Sequence, residues 1–281
     1  MEHLKDLHVL ILGLGSSGLA MARWCAAQGA RITVADTREL PPGLDQLKAD
    51  APSAQFKHVL SFGAELIDGT DVRAVCCSPG LSPATITPVL IAARAVGIRT
   101  WSELDLFWMA LQQLKAEQQY EPKILAITGT NGKTTVTVLT GQLVERAGKT
   151  VAVAGNIGPT LLDTLSERIA TETLPQVWVL ELSSFQLDGV EDFMPTMGVV
   201  LNLTQDHLDW HGDMASYGAA KARIFGAHTI SAPPMLLNRD DEAVLAMRPA
   251  LVKGKLQRTD MSFGAELPQR PGDYGDRKSV V

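Results

Sequence analysis

Twice along this chain a run of β-type apolar residues breaks into a glycine-rich loop and resumes as a helical pattern, and no other feature so narrows the folds open to it. HVLIL runs into GLGSSG, Gly13 to Gly18, and then GLAMARWCAAQG; KILAIT runs into TGTNGKTT, Thr128 to Thr135, and then TTVTVLTGQLVERAG. A strand that turns sharply into a helix packing back on it is half of a βαβ unit. ARITVAD, AVCCS and the helix-like ITPVLIAARAVG extend the first block, while TVAVAG, VWVLELS and MGVVLNL extend the second. Short apolar runs alternating with helical segments predict an α/β fold with parallel sheets.

The polar, helix-prone ALQQLKAEQQYEP ends in Pro122 and parts the two blocks, so the expected boundary lies near Gln119. Residues 1–119 then form a Rossmann-like parallel-sheet domain, and 120–275 a second α/β domain of the P-loop ATPase type. From about Pro268 the chain turns polar and rich in Pro and Gly, without a periodic apolar face. Its last six residues, DRKSVV, read like translated adapter sequence, so Asp276–Val281 is expected to be a non-native tail.

Charge and composition remove several roles. A formal net charge of -6 and the lack of a Lys/Arg cluster argue against nucleic acid as the main partner. The first apolar run breaks at Gly13, too soon for a signal peptide or a membrane span. Cys25, Cys76 and Cys77 stand in apolar runs without metal-like spacing, and an adjacent pair does not readily close a disulfide, so all three read as reduced core residues. The expectation is a monomeric cytoplasmic enzyme acting on small molecules.

In GLGSSG, glycines let the backbone approach a phosphate at the positive end of the following helix, and Asp36, ending the next strand, can bind a ribose or base edge. A tight turn without a ligand satisfies the same pattern. TGTNGKTT is a second cradle, in which Gly129, Thr130, Asn131, Gly132, Lys133, Thr134 and Thr135 would surround the phosphates of ATP. There the Lys133 ammonium would meet the terminal phosphates and the Thr134 hydroxyl would meet Mg²⁺. Ile127 stands where the general GxxxxGK[ST] pattern has its first glycine, which narrows the family.

Glu181, in ELSSFQL, falls at the carboxyl end of a buried strand, the edge at which open α/β sheets bind ligands; a turn cap is the plain alternative. LNLTQDHLDWHG sets Asn202, Asp206, His207, Asp209 and His211 at the end of the following strand, for metal or phosphate, or as a solvated loop. From spacing alone, Lys221 in SYGAAKARIF reads as a surface lysine, although Ala219, Ala220 and Ala222 leave room around its stem. Asn156, in AGNIG, reads as a turn residue.

Taken in order, GLGSSG, SPG at Ser78 to Gly80, WSELDLFW, TGTNGKTT, GNIG, ELSSFQL, DHLDWHG and AAKARIF resemble the Mur ligases of peptidoglycan synthesis, from about residue 8 to about residue 275. ELSSFQL and the first glycine turn resemble the MurD type in particular. The resemblance implies an ATP- and Mg²⁺-dependent acid–amino acid ligase that joins D-glutamate to UDP-N-acetylmuramoyl-L-alanine through an acyl phosphate. It implies that the first domain binds the UDP compound and not NAD. Ser16 and Ser17 would face the diphosphate, Asp36, Thr37 and Arg38 the uridine, and Ser78, Pro79 and Gly80 would line the same cleft. Lys133, Lys221 and His207 would be catalytic, and Asn156 would touch the substrate near its reacting carboxylate. Thr134, Glu181, His207 and a carbamylated Lys221 would contact Mg²⁺.

A carbamate replaces an ammonium by oxygen ligands, and at ~5 Å and an effective dielectric of about 20 each unit charge contributes on the order of 3 kcal/mol. The family continues with an Asn-containing ATP-contact segment of the central domain and then a third domain that binds the amino acid, so the second domain is expected to be incomplete and the chain alone not to complete the ligation. An NAD-dependent oxidoreductase would use GLGSSG and Asp36 but leave TGTNGKTT, Glu181 and Lys221 idle. A non-catalytic nucleotide-binding fragment, another Mur-type amino acid ligase, and a folylpolyglutamate-type ligase, which needs no first-domain UDP site, stay open.

Overall fold

The computed structural model describes residues 4–226, 233–248, 259–268 and 270–275; the expected tail Asp276–Val281 lies outside the described residues. The chain divides into two compact units, Met1–Glu121 with Pro159–Leu174, and Pro122–Gly158 with Pro175–Val281.

Along the first unit run β1 (His8–Leu12), α1 (Ser16–Ala27), β2 (Arg31–Asp36), α2 (Leu44–Asp50), β3 (Gln55–His58), β4 (Ala74–Cys77), α3 (Pro83–Ala95), β5 (Arg99–Trp101) and α4 (Glu103–Gln118). The five strands are parallel, in the order β3-β2-β1-β4-β5. That order reverses between β1 and β4, so the loops after these two strands flank a crevice at the carboxyl edge of the sheet. A parallel strand covered on both faces needs a continuous apolar run, and Val9, Leu10, Ile11 and Leu12 are each at most 1% exposed. Leu10, Leu12, Phe62, Val75 and Val89 share one core, and each such side chain withdrawn from water contributes roughly 1.5–3 kcal/mol. Ser102 starts α4 with a reciprocal cap: its hydroxyl accepts from the Asp105 amide at 3.2 Å, and the Asp105 carboxylate accepts from the Ser102 amide at 2.7 Å.

Beyond α4 come β6 (Lys123–Thr128), α5 (Lys133–Arg146), β7 (Val151–Gly155), α6 (Leu161–Ala170), β8 (Val177–Glu181), α7 (Ser184–Leu187), β9 (Met197–Val200), α8 (Leu208–His211), α9 (Met214–Ala222), β10 (Met235–Asn238), α10 (Glu242–Leu245), β11 (Asp260–Gly264) and β12 (Tyr274–Gly275). Seven parallel strands form the second sheet, in the order β12-β11-β10-β9-β6-β8-β7. With β8 on one side of β6 and β9 on the other, the loop Thr128–Thr135, Glu181 and Asn202 leave from three adjacent carboxyl ends. The crossover helix α6 packs within the first unit. There Glu103, 1% exposed, accepts from the Leu162 amide at 3.1 Å, and Arg23 pairs with Asp163 at 3.1 Å. A carboxylate at the start of a helix meets the positive end of its dipole. In the polar tail, β12 pairs Tyr274 with Phe263, and a strand of two residues is too short for a period to show. Among the described residues, no helix is long and apolar enough to cross a membrane.

Candidate functional site

β1 ends at Leu12, and the chain must turn at once into α1. Gly18 permits this, because a Cβ there would overlap the Gly13 carbonyl oxygen. Ser78, just past β4, donates its hydroxyl to that same carbonyl at 2.9 Å and so ties the two turns that flank the crevice. Gly15 precedes α1 without a side-chain cap, which leaves first-turn amides of α1 free of a side-chain acceptor. Ser16, Thr37, Arg38 and Gly80 are exposed, Ser17 and Pro79 are half-buried, and Ser78 is buried.

Asp36 is 2% exposed, and both its oxygens are engaged by its own neighbourhood. Oδ2 accepts from the Leu14 amide at 2.7 Å and from Arg38 Nη2 at 2.7 Å; Oδ1 accepts from the Arg38 amide at 2.8 Å and Arg38 Nε at 2.9 Å. Burial pushes this carboxyl up, but the Arg38 side chain and the Leu14 and Arg38 amides outweigh it and hold it at about 2. What the turn offers to solvent is therefore the Thr37 hydroxyl and the Arg38 guanidinium, with the acid beneath them.

The second loop, from Thr128, is strapped to the segment after β9. Leu201 donates its amide to the Thr128 carbonyl at 2.8 Å, and Thr130 donates to the Asn202 carbonyl at 3.0 Å. Thr204 donates its amide to Thr130 Oγ1 at 3.0 Å, and the Tyr217 hydroxyl shares a hydrogen bond with that oxygen at 3.1 Å. Gly132 takes a left-handed φ of 78°, and α5 then starts at Lys133 with no side-chain cap. Thr134 and Thr135 stand exposed in its first turn.

Two ammonium groups converge on one loop carbonyl. Lys133 Nζ donates to Gly129 O at 3.0 Å and to Thr130 O at 3.0 Å, while Lys221 Nζ donates to Gly129 O at 2.9 Å. Lys221 is only 1% exposed, unlike the surface lysine its spacing suggests, and its Nζ lies 4.7 Å from the centre of the Tyr217 ring. Burial first, and the Lys133 ammonium second, bring it down to about 7 against the pull of Asp206.

Glu181, 3% exposed at the end of β8, accepts from Asn156 Nδ2 at 3.1 Å. His207 adopts a left-handed φ of 52°, its ring 4.6 Å from Phe185 and its Nε2 3.4 Å from Asp206 Oδ2. Asp209 is exposed. His211 instead meets Ser184 Oγ at 2.9 Å and stacks on Phe185, and burial lowers its pKa. Among the described residues, no three His, Cys, Asp or Glu side chains cluster closely enough to hold a metal ion by themselves. The Glu181 carboxylate and the Thr134 hydroxyl are hard oxygen donors of the kind Mg²⁺ takes alongside water and phosphate oxygens; the Lys221 ammonium, as it stands, is not.

One participant lies outside the expected set. Tyr217 lies four residues before Lys221, the helical spacing that puts two side chains on one face, and that spacing was its only signal. Asn202, in the segment whose sequence suits metal or phosphate or a solvated loop, instead holds the main chain of Asn131, a contact that depends on the neighbouring strand.

Residues 127–269 match the family described as Mur ligase middle domain, and residues 7–102 the one described as Mur ligase MurD-like, N-terminal domain. UDP-N-acetylmuramoylalanine--D-glutamate ligase of Albidiferax ferrireducens is 62% identical over 279 residues, covering 98% of this chain and 54% of that protein. The protein of the same name from Cupriavidus pinatubonensis is 54% identical over 275 residues, covering 97% of this chain and 52% of the relative. The chain thus spans about half the length of these curated relatives. Among solved structures, the UDP-N-acetylmuramate:L-alanyl-gamma-D-glutamyl-meso-diaminopimelate ligase from Neisseria meningitides shares the fold. It has a TM-score of 0.50 at 15% identity, over 92% of this chain and 78% of that one.

Proposed function

The chain belongs to the Mur ligase family, and from that premise we propose that it carries the UDP-substrate and ATP sites of a ligase joining D-glutamate to UDP-N-acetylmuramoyl-L-alanine. The observation that carries this reading is the pair of ammonium groups, Lys133 and Lys221, gathered on the Gly129 carbonyl beside an uncapped helix start. Such a loop is an anion site, and a triphosphate is the anion its length and charge suit.

In the proposed reaction the γ-phosphoryl of ATP passes to a carboxylate oxygen of the muramoyl-alanine substrate and ADP leaves. The amine of D-glutamate then attacks the acyl carbon, phosphate departs with the C–O bond, and the amine loses a proton. Amides from Gly132 to Thr135 orient the phosphates, and Lys133 exchanges its loop carbonyls for phosphate oxygens, steadying the charge that moves. Lys221, near 7, holds a neutral amine in good part at physiological pH and can add CO₂, releasing one proton and leaving a carbamate anion where an ammonium stood. Mg²⁺, held by Thr134, Glu181, His207 and that carbamate, would supply neutralisation of the phosphate oxygens. Asn156, oriented by Glu181, meets the reacting carboxylate.

In the first unit, Ser16 and Ser17 at the start of α1 take the diphosphate, and Ser78, Pro79 and Gly80 line the cleft. Thr37 and Arg38 meet the uridine with Asp36 as their anchor. A monomer working in the cytoplasm fits substrates of this kind. Calorimetric titration with UDP-N-acetylmuramoyl-L-alanine, with NAD as control, tests the reading. Saturable binding of the UDP compound alone supports it, and binding of NAD alone overturns it.

A further inference from the structure

Asn202 leaves the carboxyl end of β9 and turns its side chain onto the phosphate loop. Its Oδ1 accepts from the Asn131 amide at 2.8 Å, and its Nδ2 donates to the Asn131 carbonyl at 3.0 Å. Its own carbonyl accepts from the Thr130 amide at 3.0 Å. One residue thus satisfies three main-chain polar groups of the loop, as a neighbouring strand would, at the point where the loop has left the sheet. The segment bearing it is itself pinned: Asn238 Nδ2 donates to the Leu201 carbonyl at 2.8 Å, and the Leu203 amide donates to Asp241 Oδ2 at 2.8 Å.

We propose that Asn202 is a positioning residue of the phosphate loop, bracketing the Asn131 peptide so that the following amides, from Gly132 into α5, are presented outward to a phosphate group before any nucleotide arrives. The Asn131 amide is occupied by this bracket, so the loop offers an anion the donors that follow it. Gly132, in the left-handed region immediately after the bracket, makes the reversal that starts α5. A loop held this way loses little entropy when it binds, which is how an asparagine that never touches the nucleotide strengthens its binding. The inference rests on the nucleotide reading of this loop, and one arm of its test does not.

Two variants, Asn202→Ala and Asn202→Asp, are compared with the 281-residue chain. Aspartate keeps the volume and one acceptor but turns an oxygen toward the Asn131 carbonyl, so it breaks the bracket while preserving packing if alanine unfolds the segment. Hydrogen exchange at the Asn131 amide, measured without ligand, is expected to speed up at least tenfold in both variants while the amides of β6 and β9 stay protected. MgATP affinity is expected to fall about tenfold, the loss of one to two net hydrogen bonds, with UDP-N-acetylmuramoyl-L-alanine affinity unchanged. Exchange and MgATP affinity like those of the unsubstituted chain in both variants would overturn the proposal. Faster exchange with unchanged MgATP affinity would also overturn it. If the unsubstituted chain binds no MgATP at all, the nucleotide reading falls and takes the positioning role with it, whatever the exchange shows.

Discussion

At the turn after β1 the buried charge is an acid, Asp36, and everything it accepts comes from its own neighbourhood: two amides and the guanidinium of Arg38. At the loop after β6 the buried charge is a cation, Lys221, whose one hydrogen-bonded partner among the described residues is a carbonyl that it shares with a second cation, Lys133. Both regions are strand–glycine–helix turns at the carboxyl edge of a parallel sheet, so geometry does not separate them. Charge balance does. The acid of the first turn is neutralised without a ligand and adds to stability, whereas the second holds an electrostatic cost that an arriving anion, or a charge reversal at Lys221, relieves. Sites that bind by such relief are less stable empty than their neutral replacements.

The contrast predicts substitution effects of opposite sign. Lys221→Met, in CO₂-free buffer, is expected to raise unfolding free energy by on the order of 4 kcal/mol at pH 6, the linkage cost of an ammonium whose folded pKa is about 7 against 10.5 unfolded. Below pH 7 both states of the lysine are protonated and the cost is full. As pH rises from 7 toward 10.5 the folded state releases its proton first, so wild-type stability climbs and the advantage of methionine closes. Urea titrations at pH 6 and pH 9.5 measure the gap, and a gap independent of pH would break the comparison.

At the first turn, Gly18→Ala drives a methyl into the Gly13 carbonyl and is expected to cost about 3 kcal/mol, seen as a lower urea midpoint. Asp36→Asn is expected to cost about 2 kcal/mol at pH 7. Its folded pKa lies below its unfolded value of 3.8, so this contribution is present above pH 4 and lost as pH falls through about 2. Acid titration of the wild type and Asp36→Asn should therefore converge at the acid end, and curves that stay parallel would remove the ion pair from the account.

Much of this was legible because glycine writes its backbone demands into the sequence: the turn at Gly13–Gly18 and the loop at Thr128–Thr135 both stand where the alternation of apolar runs put them. Glu181 showed its place at a strand end for the same reason. Direction and burial were not legible. Asp36 looks the same in sequence whether its oxygens face a ribose or Arg38, and Lys221 looks exposed until Tyr217 and the Gly129 carbonyl are folded against it. WSELDLFW suggests no partner for Glu103, yet that carboxylate meets the start of α6, more than fifty residues along the chain by the sequence separation of 59. Contacts that join distant segments leave no local pattern to read.

The most direct test of the central claim is a two-ligand calorimetric titration of Lys133→Ala beside the unsubstituted chain. The account predicts that MgATP affinity falls about a hundredfold, the loss of one charge-assisted contact to phosphate, while UDP-N-acetylmuramoyl-L-alanine binds within twofold of its original strength. Unchanged MgATP binding, or loss of both ligands in a variant that remains folded, would contradict the assignment of the cation-bearing loop to the nucleotide and of the acid-anchored turn to the UDP compound.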